Sequence, residues 1–275
     1  MNNEIETIWK GESIELLKAL HLLTREGKLN ADARRKLKQV NHLTQLIAPL
    51  IEKIVAKHAK IRVVDMGAGK SYLGFILYDL ILKHLSDFEM VSIESRPELI
   101  DRSKVLATQS GFDKMKFVHA SIENARVEGT ADLVCALHAC DTATDDSILF
   151  GLRHEAKAFA LVPCCQAEVA QSLAAIQKQN QGSEAAFLYE QPLHRREFGS
   201  HLTNVIRTLF LRSKGYRVTV TELVGWEHSM KNELILAEKI SSEDHPESKR
   251  AATELATLLQ QFPVKMKLLE KSYRE

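Results

Sequence analysis

Two strand-like segments lie close together near the end of the chain, and they constrain the fold more than any other feature. Residues 216–225, YRVTVTELVG, and residues 232–240, NELILAEKI, are separated by only six residues, WEHSMK. A parallel connection needs about a dozen residues or more, usually in a helix. We therefore expect these two segments to be antiparallel neighbours in one sheet.

Upstream of this hairpin, strand-like and helix-like segments alternate. Alternation of this kind predicts a parallel sheet with helices on both faces. The predicted parallel strands are residues 61–67, 88–94, 115–120, 131–139 and 156–163. The sequence therefore predicts an α/β protein with a Rossmann-like, seven-stranded sheet that is mostly parallel and ends in a C-terminal antiparallel hairpin.

Helical segments flank the predicted sheet. Residues 1–58 are expected to form an N-terminal helical extension, residues 59–240 the sheet domain, and residues 241–275 a linker and a C-terminal helix. Pro49 is predicted to kink or divide the helix of the extension. The helix after residue 141 is predicted to begin with a capping box, Thr142-Ala143-Thr144-Asp145.

Composition limits the possible classes of protein. The 275 residues carry a formal net charge of +1, so no global basic field is expected to attract nucleic acid. Four cysteines and no signal-like apolar segment suggest a reduced, cytoplasmic setting without disulfides. No apolar run is long enough to span a bilayer. The basic residues of 34–38 most often mean a solvated face, and RNA contact is the minority interpretation.

The stretch VVDMGAGKSYLG, residues 63–74, has features of two ligand-binding loops. A phosphate-binding P-loop would need glycine where Val64 stands. The dinucleotide fingerprint Gly-x-Gly-x-x-Gly would need glycine where Tyr72 stands. What remains is a strand that ends in an acid, then Gly67 and Gly69, and then a helix, which lets a ligand approach the backbone closely.

Four motifs together resemble class I S-adenosylmethionine-dependent methyltransferases. The motifs are VVDMGAGKSYLG, ALHACDTATDDSIL, VPCCQ and HSMKNELILAEK, and the resemblance covers residues 61–239. The branch includes the methyltransferase domain of the glutathione-S-transferase C-terminal-domain-containing protein. More distantly, the sequence resembles tRNA acceptor-stem 2′-O-methyltransferases. Asp141 replaces their usual glycine, and Gln166 and Ala167 replace their histidines.

The resemblance implies S-adenosyl-L-methionine as cofactor. Asp65 would attract the ammonium group of its methionyl part, and Glu94 would accept hydrogen bonds from both ribose hydroxyls. Ser121 and Ile122 fall where the family contacts adenine. The complete set of expected cofactor-binding residues is Asp65, Gly67, Ala68, Gly69, Glu94, Ser121, Ile122 and His138.

The segment ALHACD is the expected chemical centre. His138 ends an apolar strand and has a pKa range that suits a general base, and Asp141 is the alternative base. Cys164 and Cys165 end the neighbouring strand and should lie near the substrate. They could be small packing residues, include a nucleophile, or join His138 and Cys140 in a zinc site, and packing is the preferred interpretation. No metal is therefore expected.

The segment between the cysteine pair and the hairpin is expected to overhang the strand ends. Residues 188–202, LYEQPLHRREFGSHL, contain aromatic residues, histidines and the pair Arg195 and Arg196, which would suit stacking and phosphate contacts with RNA. This segment could also be a plain polar connection. RNA, either tRNA or rRNA, is the leading substrate. A small-molecule or protein acceptor and a non-catalytic binding module are the alternatives.

Overall fold

The computed structural model describes residues 14–20, 22–24, 26–28, 31–137, 139, 141–163, 166–178, 185–222 and 233–272. Its α-helices are α1 Ile14–Ala19, α2 Ala31–Val55, α3 Tyr72–Leu80, α4 Pro97–Gln109, α5 Thr142–Arg153, α6 Glu168–Lys178, α7 Pro192–Ser213, α8 Pro246–Gln261 and α9 Lys267–Ser272. Short 3₁₀ helices cover Leu82–His84, Ile122–Asn124 and Ala186–Tyr189.

In the described part of the chain, seven strands form one mixed sheet in the order β3-β2-β1-β4-β5-β7-β6. They are β1 Ile61–Met66, β2 Phe88–Glu94, β3 Met115–His119, β4 Leu133–Leu137, β5 Ala158–Val162, β6 Tyr216–Glu222 and β7 Glu233–Lys239. The first five are parallel, and β7 is antiparallel to both β5 and β6. The predicted fold class and its terminal hairpin are confirmed.

Helices cover both faces of the sheet. On one face, Ile47 and Ile51 of α2 and Phe75 of α3 are buried in one cluster with Val63 and Met90 of the sheet. The other face belongs to a second cluster of buried residues, which includes Val64, Phe159, Phe150, Ile206 and Leu255. Burial of side chains of this size contributes about 1.5–3 kcal/mol each. Among the described helices, none has the length and apolar character to cross a membrane.

Pro49 does not divide the helix of the N-terminal extension. It lies inside the continuous helix α2. Leu43 and Ile47 before the proline and Leu50 and Ile54 after it are all buried. Packing of one apolar face therefore continues across the proline and outweighs the lost hydrogen bond.

The expected overhanging segment 188–202 is mostly helical. Helix α7 begins at Pro192 and includes the rest of this segment. Proline suits the first position of a helix, since its ring fixes φ and its missing N–H would have no intrahelical partner there. Helix α6 had no counterpart among the sequence-based expectations.

A buried ion pair joins α7 to the start of α5. The guanidinium of Arg207 donates from Nε to Asp145 Oδ1 at 2.7 Å, and both side chains are only 1% exposed. Arg207 also donates to the backbone carbonyl of Asp141 at 2.9 Å. The predicted capping box is wrong, because Asp141 is the N-cap residue and α5 has no side-chain capping bond. Asp145 turns inward because Arg207 provides a buried partner.

Replacing Arg207 with glutamine should destabilise the protein by about 3–5 kcal/mol, because Asp145 would lose the charge that compensates its burial. Equilibrium urea unfolding measures this change. Arg212→Gln is the matched control on the same helix, since its pair with Glu254 is half exposed and should contribute at most about 1 kcal/mol. Equal losses in the two variants would contradict the assignment.

Candidate functional site

The strand order places one crevice at the carboxyl edge of the sheet. The chain moves outward from β1 through β2 to β3 and then returns to β4 on the other side of β1. Ligands in open α/β sheets bind outside the strand ends at such a reversal. The residues that follow β1, β2 and β4 therefore form the candidate site.

The Gly-x-Gly turn after β1 needs glycine for its backbone shape. Gly67 and Gly69 have φ angles of +64° and +59°, which residues with a Cβ rarely adopt. Between them, the N–H of Ala68 donates to the carbonyl of Ile93 at 2.9 Å. This bond fixes the turn to the end of β2.

Glu94 points its carboxylate at this turn. The N–H of Gly69 donates to Oε2 at 2.7 Å, and Arg96 donates to Oε1 from its backbone at 3.0 Å and from Nε at 2.9 Å. Burial raises the pKa of Glu94, but the hydrogen bonds from Arg96 and Gly69 outweigh this effect and lower the pKa to about 2. The carboxylate is therefore ionised and held in one position.

Asp65 lies at the end of β1 and has the opposite environment. Its residue is 2% exposed. Burial raises its pKa to about 7, with a further upward contribution from the charge of Glu94, although the N–H of Gly74 acts against both. Cys135, its partner in the strand register, is also buried, and burial raises the pKa of that thiol.

The turn after β3 completes this side of the crevice. Ser121 precedes the 3₁₀ helix Ile122–Asn124 and accepts a hydrogen bond from the side chain of Asn124 at 3.0 Å. A Cβ atom at Gly67 would lie 3.3 Å from Cδ1 of Ile122. The structure thus brings together Gly67, Ile122 and, through the Gly-x-Gly turn, Glu94.

Asp141 lies on the opposite side, between β4 and α5. Its backbone has φ 51° and ψ −121°, a conformation that costs a non-glycine residue about 1–3 kcal/mol. One carboxylate oxygen accepts from the N–H groups of Ala167 at 3.1 Å and Glu168 at 3.4 Å. Asp141 therefore links the loop after β4 to the start of α6. These bonds favour a positional role for it over that of a base.

Several expected site residues are outside the described part of the chain or away from the crevice. His138, Cys140, Cys164 and Cys165 lie outside the described residues, so the base, packing, nucleophile and zinc hypotheses stay predictions. Arg195 contacts Gln177 at 2.9 Å, and Arg196 pairs with Glu197.

Arg195 and Arg196 lie on α7, which together with α6 projects from the carboxyl edge of the sheet. Gln166 follows β5 at the carboxyl edge of the sheet, and its side chain donates to Asn204 of α7 at 3.0 Å. Asn204 is therefore the part of α7 that lies level with this edge. Arg195 lies nine residues earlier, about 14 Å along the helix axis. The structure therefore does not bring this basic pair to Glu94.

Two functional candidates escaped the sequence analysis. Arg96 holds the carboxylate of Glu94, and its position two residues after this acid in the sequence could have indicated the pair. Lys267 donates its backbone N–H to Glu168 at 2.9 Å, across 99 positions of sequence. No local pattern could have indicated that second contact.

Comparison with known proteins identifies the class. Residues 35–172, half of the chain, match the model of a family described as a methyltransferase domain. The chain therefore belongs to this methyltransferase family. A search of curated proteins finds no match.

Solved structures with low sequence identity also align with the chain. An rRNA methylase from Streptococcus thermophilus aligns with TM-score 0.42 and 9% identity over 74% of this chain and 94% of its own. Magnesium protoporphyrin IX methyltransferase from Synechocystis has TM-score 0.45 and 9% identity over 82% and 93%. TrmK from M. capricolum has TM-score 0.42 and 10% identity over 81% of each chain.

The raised pKa of Asp65 predicts a pH-dependent effect of Asp65→Asn. Between pH 4 and pH 7 the native state binds more protons at this site than the unfolded state, so the free energy of unfolding of the wild type falls as pH rises. The variant avoids this loss. The free energy of unfolding of Asp65→Asn, relative to that of the wild type, should therefore increase through this range by up to about 4 kcal/mol and stay constant above pH 7.

Urea unfolding at a series of pH values measures this difference. Asp101→Asn, on the exposed side of α4, is the control and should differ from the wild type by a constant amount. A difference at Asp65 that does not change between pH 4 and pH 8 would show that the carboxyl titrates normally.

Proposed function

We propose that the protein is an S-adenosyl-L-methionine-dependent methyltransferase and that the cofactor binds at the carboxyl ends of β1 and β2. The observation that carries this proposal is the carboxylate of Glu94, which is ionised, 4% exposed and hydrogen-bonded to the Gly-x-Gly turn. An acid fixed beside such a turn suits a ribose with two hydroxyl donors. Membership of the methyltransferase family supports the same cofactor.

The surrounding residues fit the remaining parts of this cofactor. Gly67, Ala68 and Gly69 present backbone without bulky side chains, and a Cβ at Gly67 would crowd Ile122. Ser121 and Ile122 form the turn assigned to adenine, and Asp65 supplies a carboxyl behind the turn for the ammonium group. The bound cofactor would supply an activated methyl group on a positively charged sulfur. The protein's contribution is then to align an acceptor with that group.

Catalytic roles follow the same proposal. His138, the residue after Leu137 in the sequence, is the proposed base if the acceptor is a hydroxyl or a protonated amine. Asp141 is the second candidate, but its hydrogen bonds to Ala167 and Glu168 give it a positional task.

RNA is the proposed acceptor. Helix α6 and the first turns of α7 project past the strand ends, where a large substrate would approach. Phe187 and Leu193 at this end are 69% and 58% exposed, and the Arg196 side chain is 58% exposed. Exposed aromatic and guanidinium groups suit stacking and phosphate contacts. Incubation with methyl-labelled cofactor and total RNA tests the acceptor, and label in protein or small molecules alone would reject RNA.

Binding of S-adenosylhomocysteine, measured by calorimetry, tests the cofactor. The wild type should bind it, and Glu94→Gln should bind it about 10- to 100-fold more weakly, because hydrogen bonds to a charged acceptor contribute about 1.5–3 kcal/mol. NAD and ATP should not bind, because the loop has Val64 and Tyr72 where their motifs need glycine.

Glu89→Gln is the matched control. Glu89 is also a buried acid of β2 and pairs with Arg62 and Lys116, but it lies toward the amino end of the strand. Its substitution should leave the affinity unchanged. Weaker binding in both variants would mean that Glu94 acts only through stability, and no binding to the wild type would reject the proposed function.

Arg96 is expected to compete with the cofactor. It donates to both oxygens of Glu94, at 2.9 Å from Nε to Oε1 and at 3.4 Å from Nη2 to Oε2, so ribose hydroxyls must displace or share these bonds. The pair is partly exposed and contributes at most about 1 kcal/mol. Arg96→Ala should therefore bind S-adenosylhomocysteine up to about fivefold more tightly.

The same calorimetric titration measures this effect, with Arg102→Ala on the exposed side of α4 as control. Weaker binding by Arg96→Ala would contradict competition and would indicate that the guanidinium contacts the cofactor itself.

A further inference from the structure

The C-terminal helix α9 is anchored beside the candidate site. Met266 and Leu268 are buried in the same cluster as residues of α5 and α7. The backbone of Lys265 donates to the hydroxyl of Ser172 at 2.8 Å, and that of Lys267 donates to Glu168 at 2.9 Å. The start of α9 is therefore fixed against α6, near the loop that contains Asp141.

Two lysines of α9 hold two acids that belong to different parts of the site. Lys267 Nζ lies 2.8 Å from Asp146 and 3.5 Å from Glu123. Lys271 pairs with Glu123 and lies 3.5 Å from Asp146. Each cation therefore contacts both acids, and we call these four residues the lysine clamp.

The two acids connect the clamp to opposite sides of the crevice. Glu123 belongs to the 3₁₀ helix after β3 and follows Ile122, whose side chain lies against Gly67. Asp146 is in the second turn of α5, which begins after Asp141. The clamp thus holds the turn of Ser121 and Ile122 to α5.

Partial burial and the presence of several charges strengthen the ion pairs of the lysine clamp. Asp146 and Lys267 have side chains only 9% and 23% exposed, so their attraction is screened less than that of a surface pair. Hydrogen bonds from Lys271 and the charges of both lysines lower the pKa of Glu123. Networks of several charges are the cases in which ion pairs contribute measurably.

We propose that Lys267 and Lys271 are positioning residues that hold the turn of Ser121 and Ile122 in the geometry needed for the adenosine end of the cofactor. This inference rests on the proposed function, because it assigns that turn to adenine. The lysines act through Glu123 and contact no reacting atom.

Calorimetry with S-adenosylhomocysteine and 5′-methylthioadenosine tests the clamp. The second ligand keeps the adenosine part and lacks the amino acid. Lys271→Gln should weaken both ligands by the same factor, about two- to fivefold, because the lost contact concerns the part that they share. The factor should shrink at high salt.

A double-mutant cycle shows whether the effect runs through Glu123. Lys271→Gln and Glu123→Gln should each weaken binding, and the double variant should be no weaker than the worse single variant. If the two factors by which the single variants weaken binding multiplied in the double variant, the clamp would be rejected. Lys214→Gln is the matched control, since Lys214 has similar exposure and pairs with Glu243 at 2.9 Å, distant from the carboxyl edge.

Hydrogen exchange gives a readout that needs no ligand. Amides of residues 121–125 should exchange faster in Lys271→Gln than in the wild type and should be unchanged in Lys214→Gln. If the wild type binds S-adenosylhomocysteine but Lys271→Gln changes neither affinity nor exchange, the clamp is rejected and the proposed function stands. If the wild type binds neither ligand, the proposed function itself fails.

Discussion

The carboxyl edge of the sheet depends on the buried ion pair between Arg207 and Asp145. A buried charge is tolerated only with close partners, and Asp145 and the carbonyl of Asp141 provide them. Asp141 in turn accepts the first N–H groups of α6. Glu168, in that first turn, accepts from Lys267. One series of polar contacts therefore fixes the loops after β4 and β5 and the start of α9 relative to one another.

Two neighbouring acids illustrate how environment divides chemical roles. Glu94 and Asp65 end adjacent strands, yet hydrogen bonds lower the pKa of the first to about 2, whereas burial raises that of the second to about 7. Near neutral pH, Glu94 is a permanent acceptor, while Asp65 is divided between its neutral and charged forms. The approach of a cationic ligand group would favour the charged form of Asp65.

The fold was predictable because its signals are local. The short gap before residue 232 requires antiparallel pairing, and the alternation before it requires a parallel sheet, as found. The sequence also placed Glu94 and the two glycines beside strand ends, as found, while their part in cofactor binding stays a prediction. The errors arose where distant residues decide. Asp145 has the spacing of a capping residue, but its actual partner, Arg207, lies 62 positions away. Pro49 was expected to kink or divide its helix, but packing on the sheet keeps α2 continuous.

The position of β7 has a consequence for synthesis on the ribosome. Among the strands of the described residues, β7 comes last in sequence, yet it lies inside the sheet, between β5 and β6. Before it emerges, β6 has no neighbouring strand, and the edge of β5 is exposed with its unpaired backbone groups. The nascent sheet therefore stays incomplete until β7 has been translated, and a ribosome that stalls before residue 233 holds a five-stranded intermediate with an open, aggregation-prone edge.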